Sequence, residues 1–209
     1  MATSIDMASL LHADDLIIAA NGGGRYCLES GCMPHILIGD FDSLSGAEVD
    51  QITNANTQVY RHPINKDATD LELAVDLAIQ QKIHNILILA ALGGRLDHTL
   101  ANLMLLGMPR FSAANIQLID GDQEITLLRP GAPHVIQGSP GDIVSLIPIR
   151  GNVKTLTTSG LEYPLQRGHL PFGATLGVSN IMTASEATIS LQEGLLICIV
   201  LNNITRRQK

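Results

Sequence analysis

Four stretches of this chain place polar groups at the ends of apolar runs. Residues 16–21, LIIAAN, end in Asn21 and lead into Gly22, Gly23 and Gly24. HILIGDFDS ends in Asp40 and Asp42, VYRHPINKDATD supplies Lys66, Asp67 and Asp70, and LAALGGRLDH supplies Arg95, Asp97 and His98. Two carboxylates about 4 Å apart repel by roughly 4 kcal/mol at an effective dielectric of 20. Several of them on one rim destabilise a fold unless a cation sits between them. Hard oxygen donors without His or Cys partners suit Mg²⁺, which bridges carboxylates and substrate phosphates. Asp40 and Asp42 are therefore read as Mg²⁺ ligands for a nucleoside triphosphate. Lys66, Arg95 and two helix N-termini would meet the phosphate oxygens.

Each group also has a structural reading. Asp67 or Thr69 can cap the helix that follows, and Asp97 can cap its own. Gly22 to Gly24 can form a tight turn, His98 can pack beside Leu100, and Arg95 can form a surface ion pair of small worth. Their recurrence at four strand ends favours chemistry, because ligands of open α/β sheets bind outside the carboxyl ends of the strands. No GxxxxGK[ST] occurs, which excludes a P-loop, and NGGGRYC lacks the third glycine of the dinucleotide fingerprint. The DxD pair is followed by Leu44, where a haloacid-dehalogenase-type phosphatase expects Thr or Val.

The elements that must position these residues alternate over the first 120 positions. Apolar runs at 16–21, 35–41, 57–63, 85–92 and 116–120 are separated by helical patterns. The clearest is TDLELAVDLAIQQK, with Leu73 and Leu77 at helical spacing. Such alternation predicts a parallel sheet covered on both faces. From about residue 122 the runs become short and β-branched, with Gly and Pro punctuation and no convincing helix. The expected fold is an N-terminal parallel-sheet α/β domain (1–121) followed by a C-terminal all-β sandwich domain (122–209).

Composition bounds the partners. The net charge of −7 without a basic run argues against duplex nucleic acid. Three cysteines without CxxC spacing fit reduced thiols. LLICIVL is far too short to span a membrane, and MATSIDMASLLHADD lacks the basic start of a signal peptide. A soluble, cytoplasmic protein is expected.

Five motifs in order, GDFDSL, KDATD, GGRLDHTLAN, TSGLEYPL and LPFGATLGVSN, closely resemble the thiamine pyrophosphokinase family. The resemblance implies transfer of a diphosphate group from ATP to thiamine, giving thiamine diphosphate and AMP, by a homodimer. It implies Asp40, Asp42 and Asp70 as the Mg²⁺ set. Asn21, Gly22, Gly23, Lys66, Arg95 and His98 would bind the nucleotide. Asp70, Arg95 and Asp97 would act at the reacting centre, with Asp70 or Asp97 accepting the alcohol proton. Ser179 and Asn180 would hold thiamine; without a tryptophan in the second domain, stacking on the vitamin would need Tyr163, Phe172 or a different apolar wall. The chain departs from the family at Asn21, where Asp is usual. Two alternatives stay open: a non-catalytic thiamine or nucleotide sensor, and a diphosphotransferase acting on another alcohol.

Overall fold

The apolar runs of the first eighty residues become short strands that carry their polar groups at one end. The computed structural model describes residues 7–202. The chain divides into two units, one ending at Ile86 and one beginning at Leu87.

The first unit holds α1 (Met7–Leu10), β1 (Ile18–Ala20), α2 (Gly23–Glu29), β2 (Ile36–Gly39), α3 (Gly46–Thr53), β3 (Gln58–Arg61) and α4 (Asp70–Gln80). β1, β2 and β3 form a parallel sheet in that order, with Ile36 opposite both Ile18 and Gln58. β2 is buried along its whole length, as its apolar run predicts for a central strand. Asn21 N–H donates to Ile38 O and His62 N–H to Gly39 O, both at 2.8 Å. These bonds carry the chain past the ends of β1 and β3 beside the end of β2.

The helices are fixed by their caps and small residues. Ser45 and Glu48 form a reciprocal capping box on α3. Thr69 caps α4 by accepting from Glu72 N–H, so the cap is Thr69 and not Asp67, and Asp70 is the first helical residue. α4 buries Ala74, Val75 and Ala78. A Cβ on Gly24 would stand 2.9 Å from Ile52 Cδ1, so glycine is what lets α2 approach α3 this closely.

The second unit starts within β4 (Asn85–Leu89) and continues through α5 (Leu96–Leu105), a 3₁₀ turn (Pro109–Phe111), β5 (Asn115–Asp120), β6 (Gln123–Leu128), β7 (His134–Gln137), β8 (Ile143–Ser159), β9 (Gly168–Leu170), β10 (Asn180–Ile181), β11 (Glu186–Ser190) and β12 (Glu193–Leu201). The strand order is β4-β5-β6-β12-β8-β11-β7, with β9 and β10 also on β8. β8 is long enough to serve two neighbours, β12 along residues 143–154 and β11 along 157–159. The sheet therefore curls over a core that includes Leu156, Leu170, Met182, Ile189 and Leu196.

The α/β part followed by a β-rich part matches expectation, but two strands sit elsewhere. The runs at 85–92 and 116–120 were expected in the parallel sheet, yet β4 and β5 pair into the second sheet. The reason is the turn after β5. Asp120 and Gln123 pair across two residues, Gly121 and Asp122, with Gly121 at φ 61°. This tight hairpin makes β5 antiparallel to β6 and takes β4 with it.

Candidate functional site: a carboxylate cluster closed around an amide

Two chain segments of the first unit bring carboxylates to one point, and a third brings an amide. Asp40 and Asp42 follow β2, Asp70 opens α4, and Asn21 follows β1. The Asn21 Nδ2 donates to Asp42 Oδ1 at 2.9 Å, Asp70 Oδ2 at 3.0 Å and Asp40 Oδ1 at 3.2 Å. An amide nitrogen has two hydrogens, so three carboxylate oxygens must share them. The Asn21 Oδ1 is buried and accepts no hydrogen bond from a described residue.

Lys66 supplies the cationic side of the cluster. Its Nζ lies 2.9 Å from Asp70 Oδ1 and 3.4 Å from Asp40 Oδ2, and it also donates to Pro63 O at 3.3 Å. The Asp70 contact is an ion pair, although Asp70 Oδ1 takes no well-directed hydrogen bond from a described residue. The Lys66, Asp40 and Asp70 side chains are only 11–16 % exposed, so their charges act with little screening by water. Burial would lower the Lys66 pKa, but Asp70 and Asp40 outweigh it and raise it, keeping the ammonium charged. The Asp42 carboxyl is held below its usual range, first by the Asn21 amide and then by the Ser43 hydroxyl.

The loop between the two aspartates is strained in a way that serves the cluster. Phe41 takes φ 67° and Asn21 φ 45°, both in the left-handed region. Phe41 is buried, with the Arg61 guanidinium 4.5 Å from its ring centroid, and this contact holds the turn from β3. The left-handed Phe41 lets Asp40 and Asp42 face the same side, and Asp42 N–H donates to Asp40 Oδ1 at 3.1 Å. Gly22 is the N-cap of α2 and Gly23 its first residue, next to Asn21.

Among the described residues no group of three or more His, Cys, Asp or Glu side chains has the geometry of a ready-made metal cage. The Asn21 nitrogen occupies the point where the three carboxylates meet. The donor set itself suits a hard divalent cation: three carboxylates, with no His or Cys.

Arg95, Asp97 and His98 belong to the second unit, at the start of α5. Arg95 is the N-cap residue without a side-chain cap, so Asp97 does not cap this helix and lies in its first turn. The Arg95 guanidinium grips Asp97 with two bonds, Nη2 to Oδ2 at 2.6 Å and Nε to Oδ1 at 3.2 Å. This pairing holds Asp97 below the usual carboxylate range and raises Arg95. His98 donates its backbone N–H to Asp97 Oδ1.

Ser179 and Asn180 lie before and in β10. Ser179 has φ 64°, and its N–H donates to the buried Ser145 hydroxyl at 3.0 Å. Asn180 accepts from Tyr163 N–H at 3.1 Å and donates to Tyr163 O at 2.9 Å. Its side chain thus clamps the loop carrying Tyr163, which is 65 % exposed.

Two family models match the chain: "Thiamin pyrophosphokinase, catalytic domain" over residues 7–118, and "Thiamin pyrophosphokinase, vitamin B1 binding domain" over 133–196. The chain belongs to the thiamine pyrophosphokinase family. It is 33% identical over 194 residues to a thiamine pyrophosphokinase of Bacillus subtilis, covering 93% of this chain and 91% of that one. A crystal structure of thiamine pyrophosphokinase from the same species superposes with a TM-score of 0.88 over 97% of this chain and 94% of that chain. One from Geobacillus thermodenitrificans, 30% identical, gives 0.84 over 97% and 93%.

Asn21, where the resemblance led one to expect Asp, is the side chain whose amide nitrogen meets all three carboxylates. Sequence reasoning missed Gly39, Ser43, Arg61 and Ser145 as supporting residues. Ser43 was visible as the residue next to Asp42. Arg61 and Ser145 carried no local signal, since their partners are distant in sequence.

Proposed function

We propose that this chain transfers a diphosphate group from ATP to the hydroxyethyl oxygen of thiamine, releasing thiamine diphosphate and AMP. The observation that carries the reading is the meeting of Asp40, Asp42 and Asp70 at one point beside a charged Lys66. Residues 1–121 act as the catalytic part and 122–209 as the thiamine-binding part.

In the reaction the thiamine alcohol oxygen attacks the β-phosphorus, the bond from that phosphorus to the α-phosphate oxygen breaks, and AMP leaves. Such a step depends on positioning and charge neutralisation. Asp40, Asp42 and Asp70 would hold Mg²⁺, which would neutralise charge on the phosphate oxygens when bound. Lys66 and Arg95 add donors to the phosphates, with Asn21, Gly22, Gly23 and His98 lining the nucleotide. For Arg95 this requires loosening its grip on Asp97. Asp70 or Asp97 accepts the alcohol proton; Asp97 is gripped by Arg95 and Asp70 is paired with Lys66, so either carboxylate must exchange that partner to act as the base. Asn180 and Ser179 shape the thiamine wall, Asn180 by fixing the Tyr163 loop.

The working form is a homodimer of the cytoplasm. The three cysteines are free, as a reducing compartment requires. Among the described residues no helix is long and apolar enough to cross a membrane.

The test is to incubate the protein with thiamine and MgATP, and in parallel with other nucleoside triphosphates, and to resolve the products by chromatography. Thiamine diphosphate with AMP is the expected pair. Thiamine monophosphate with ADP would contradict the reaction, and tight thiamine binding without turnover would identify a sensor.

A further inference from the structure

Three carboxylates and one lysine leave an excess of negative charge, yet the described residues place no second ammonium or guanidinium against the cluster. The group at its centre is an amide. Asn21 Nδ2 reaches oxygens of three residues on two separate segments, 19, 21 and 49 positions away in sequence. Its own Oδ1, buried and without a hydrogen bond from a described residue, is the one polar atom of the side chain left over.

We infer that the Asn21 amide is an internal stand-in for the cation: it holds Asp40, Asp42 and Asp70 together in the cation-free protein, and turns aside when a divalent cation binds. The inference rests on reading those aspartates as cation ligands and adds a role for this chain's own asparagine. An N–H donor cannot face a divalent cation, because its partial positive charge is repelled. A half-turn about χ2 exchanges nitrogen for oxygen at almost no change in volume. The leftover Oδ1 would then face the cation as a neutral oxygen donor. An aspartate at this position would add a fourth negative charge, which must be met by the cation or by protonation. The asparagine gives a site assembled before the cation arrives, and a cation that must displace hydrogen bonds to enter.

The experiment compares the full chain with N21D and N21G, using Mg²⁺ alone as the probe. Glycine tolerates the φ of 45° at this position, so N21G removes the amide without backbone strain. In chelator-treated protein both variants should melt several degrees below the wild type. Saturating Mg²⁺ should raise the melting temperature of N21D roughly twice as much as that of the wild type, because tighter binding to the folded state stabilises more. In protein labelled with ¹⁵N-asparagine, the side-chain amide signal that N21D removes should shift on adding Mg²⁺. Should N21D not fold without cation, recovery by Mg²⁺ supports the inference, and N21G still reports the lost amide. Variants that melt with the wild type in chelator overturn it. A Mg²⁺ rise of equal size in wild type and N21D, or an unmoved Asn21 signal, overturns it while the cation reading stands. No Mg²⁺ response in any of the three proteins overturns both.

Discussion

Gly39 and Asp70 approach so closely that a Cβ built on Gly39 would stand 3.1 Å from both Asp70 Cγ and Oδ1, and 3.2 Å from Asn21 Cβ. Gly39 also takes φ 142°, where a side chain is strained whatever the space. The last residue of β2 is therefore what permits the third carboxylate to join the other two. Gly39→Ala is expected to cost about 1–3 kcal/mol of stability and to push Asp70 away from Asn21. Urea unfolding measures the first effect and Mg²⁺ titration the second. A variant with unchanged stability and unchanged Mg²⁺ affinity would show that the approach is incidental.

Asp42 is exposed, and its carboxylate accepts hydrogen bonds from Asn21 and Ser43. Its removal should therefore spare the fold. Asp42→Asn is expected to lower turnover by at least about a hundredfold with an unchanged circular dichroism spectrum. Activity close to wild type would remove Asp42 from the metal set.

Much of the site was legible, and its centre was not. Asp40, Asp42, Lys66 and Asp70 stand at strand and helix ends that apolar periodicity locates, and the strand-end rule then predicts which rim they share. Asn21 was legible as a loop residue, but its hydrogen bonds span long sequence separations, which no local pattern encodes. In the second unit, Gly151 interrupts an apolar pattern, so the segments on either side of it carry the local signature of two short strands. They are one, β8, because Gly151 at φ 66° and the register shifts opposite β12 absorb the irregularity within a continuous ladder. β5 was assigned to the wrong sheet because its apolar run fits either environment, and only its two-residue turn into β6 decides between them.

Stability should respond to acid through the α3 cap. The Glu48 carboxyl is held at about 2, first by the Arg25 guanidinium and then by Ser45. A carboxyl depressed in the folded state stabilises above its unfolded pKa of about 4.5. That contribution disappears as pH falls from there toward about 2. The urea midpoint of Glu48→Gln should lie below wild type at neutral pH, and the gap should close across that window. A gap independent of pH would assign the effect to packing.

The second unit should depend on the centre of its curled sheet. Leu196 is fully buried on β12, which pairs with both β6 and β8. Leu196→Ala is expected to cost about 2–5 kcal/mol, read by chemical denaturation. A loss well under 1 kcal/mol would mean that the sheet closes over the gap.

Calorimetry with Mg²⁺ and a non-hydrolysable ATP analogue tests the central claim most directly, comparing wild type with Asp40→Asn, Asp42→Asn and Asp70→Asn. The carboxylate cluster predicts saturable, Mg²⁺-dependent heat in the wild type and its loss in each variant. Undiminished Mg²⁺-dependent binding in all three variants would contradict it.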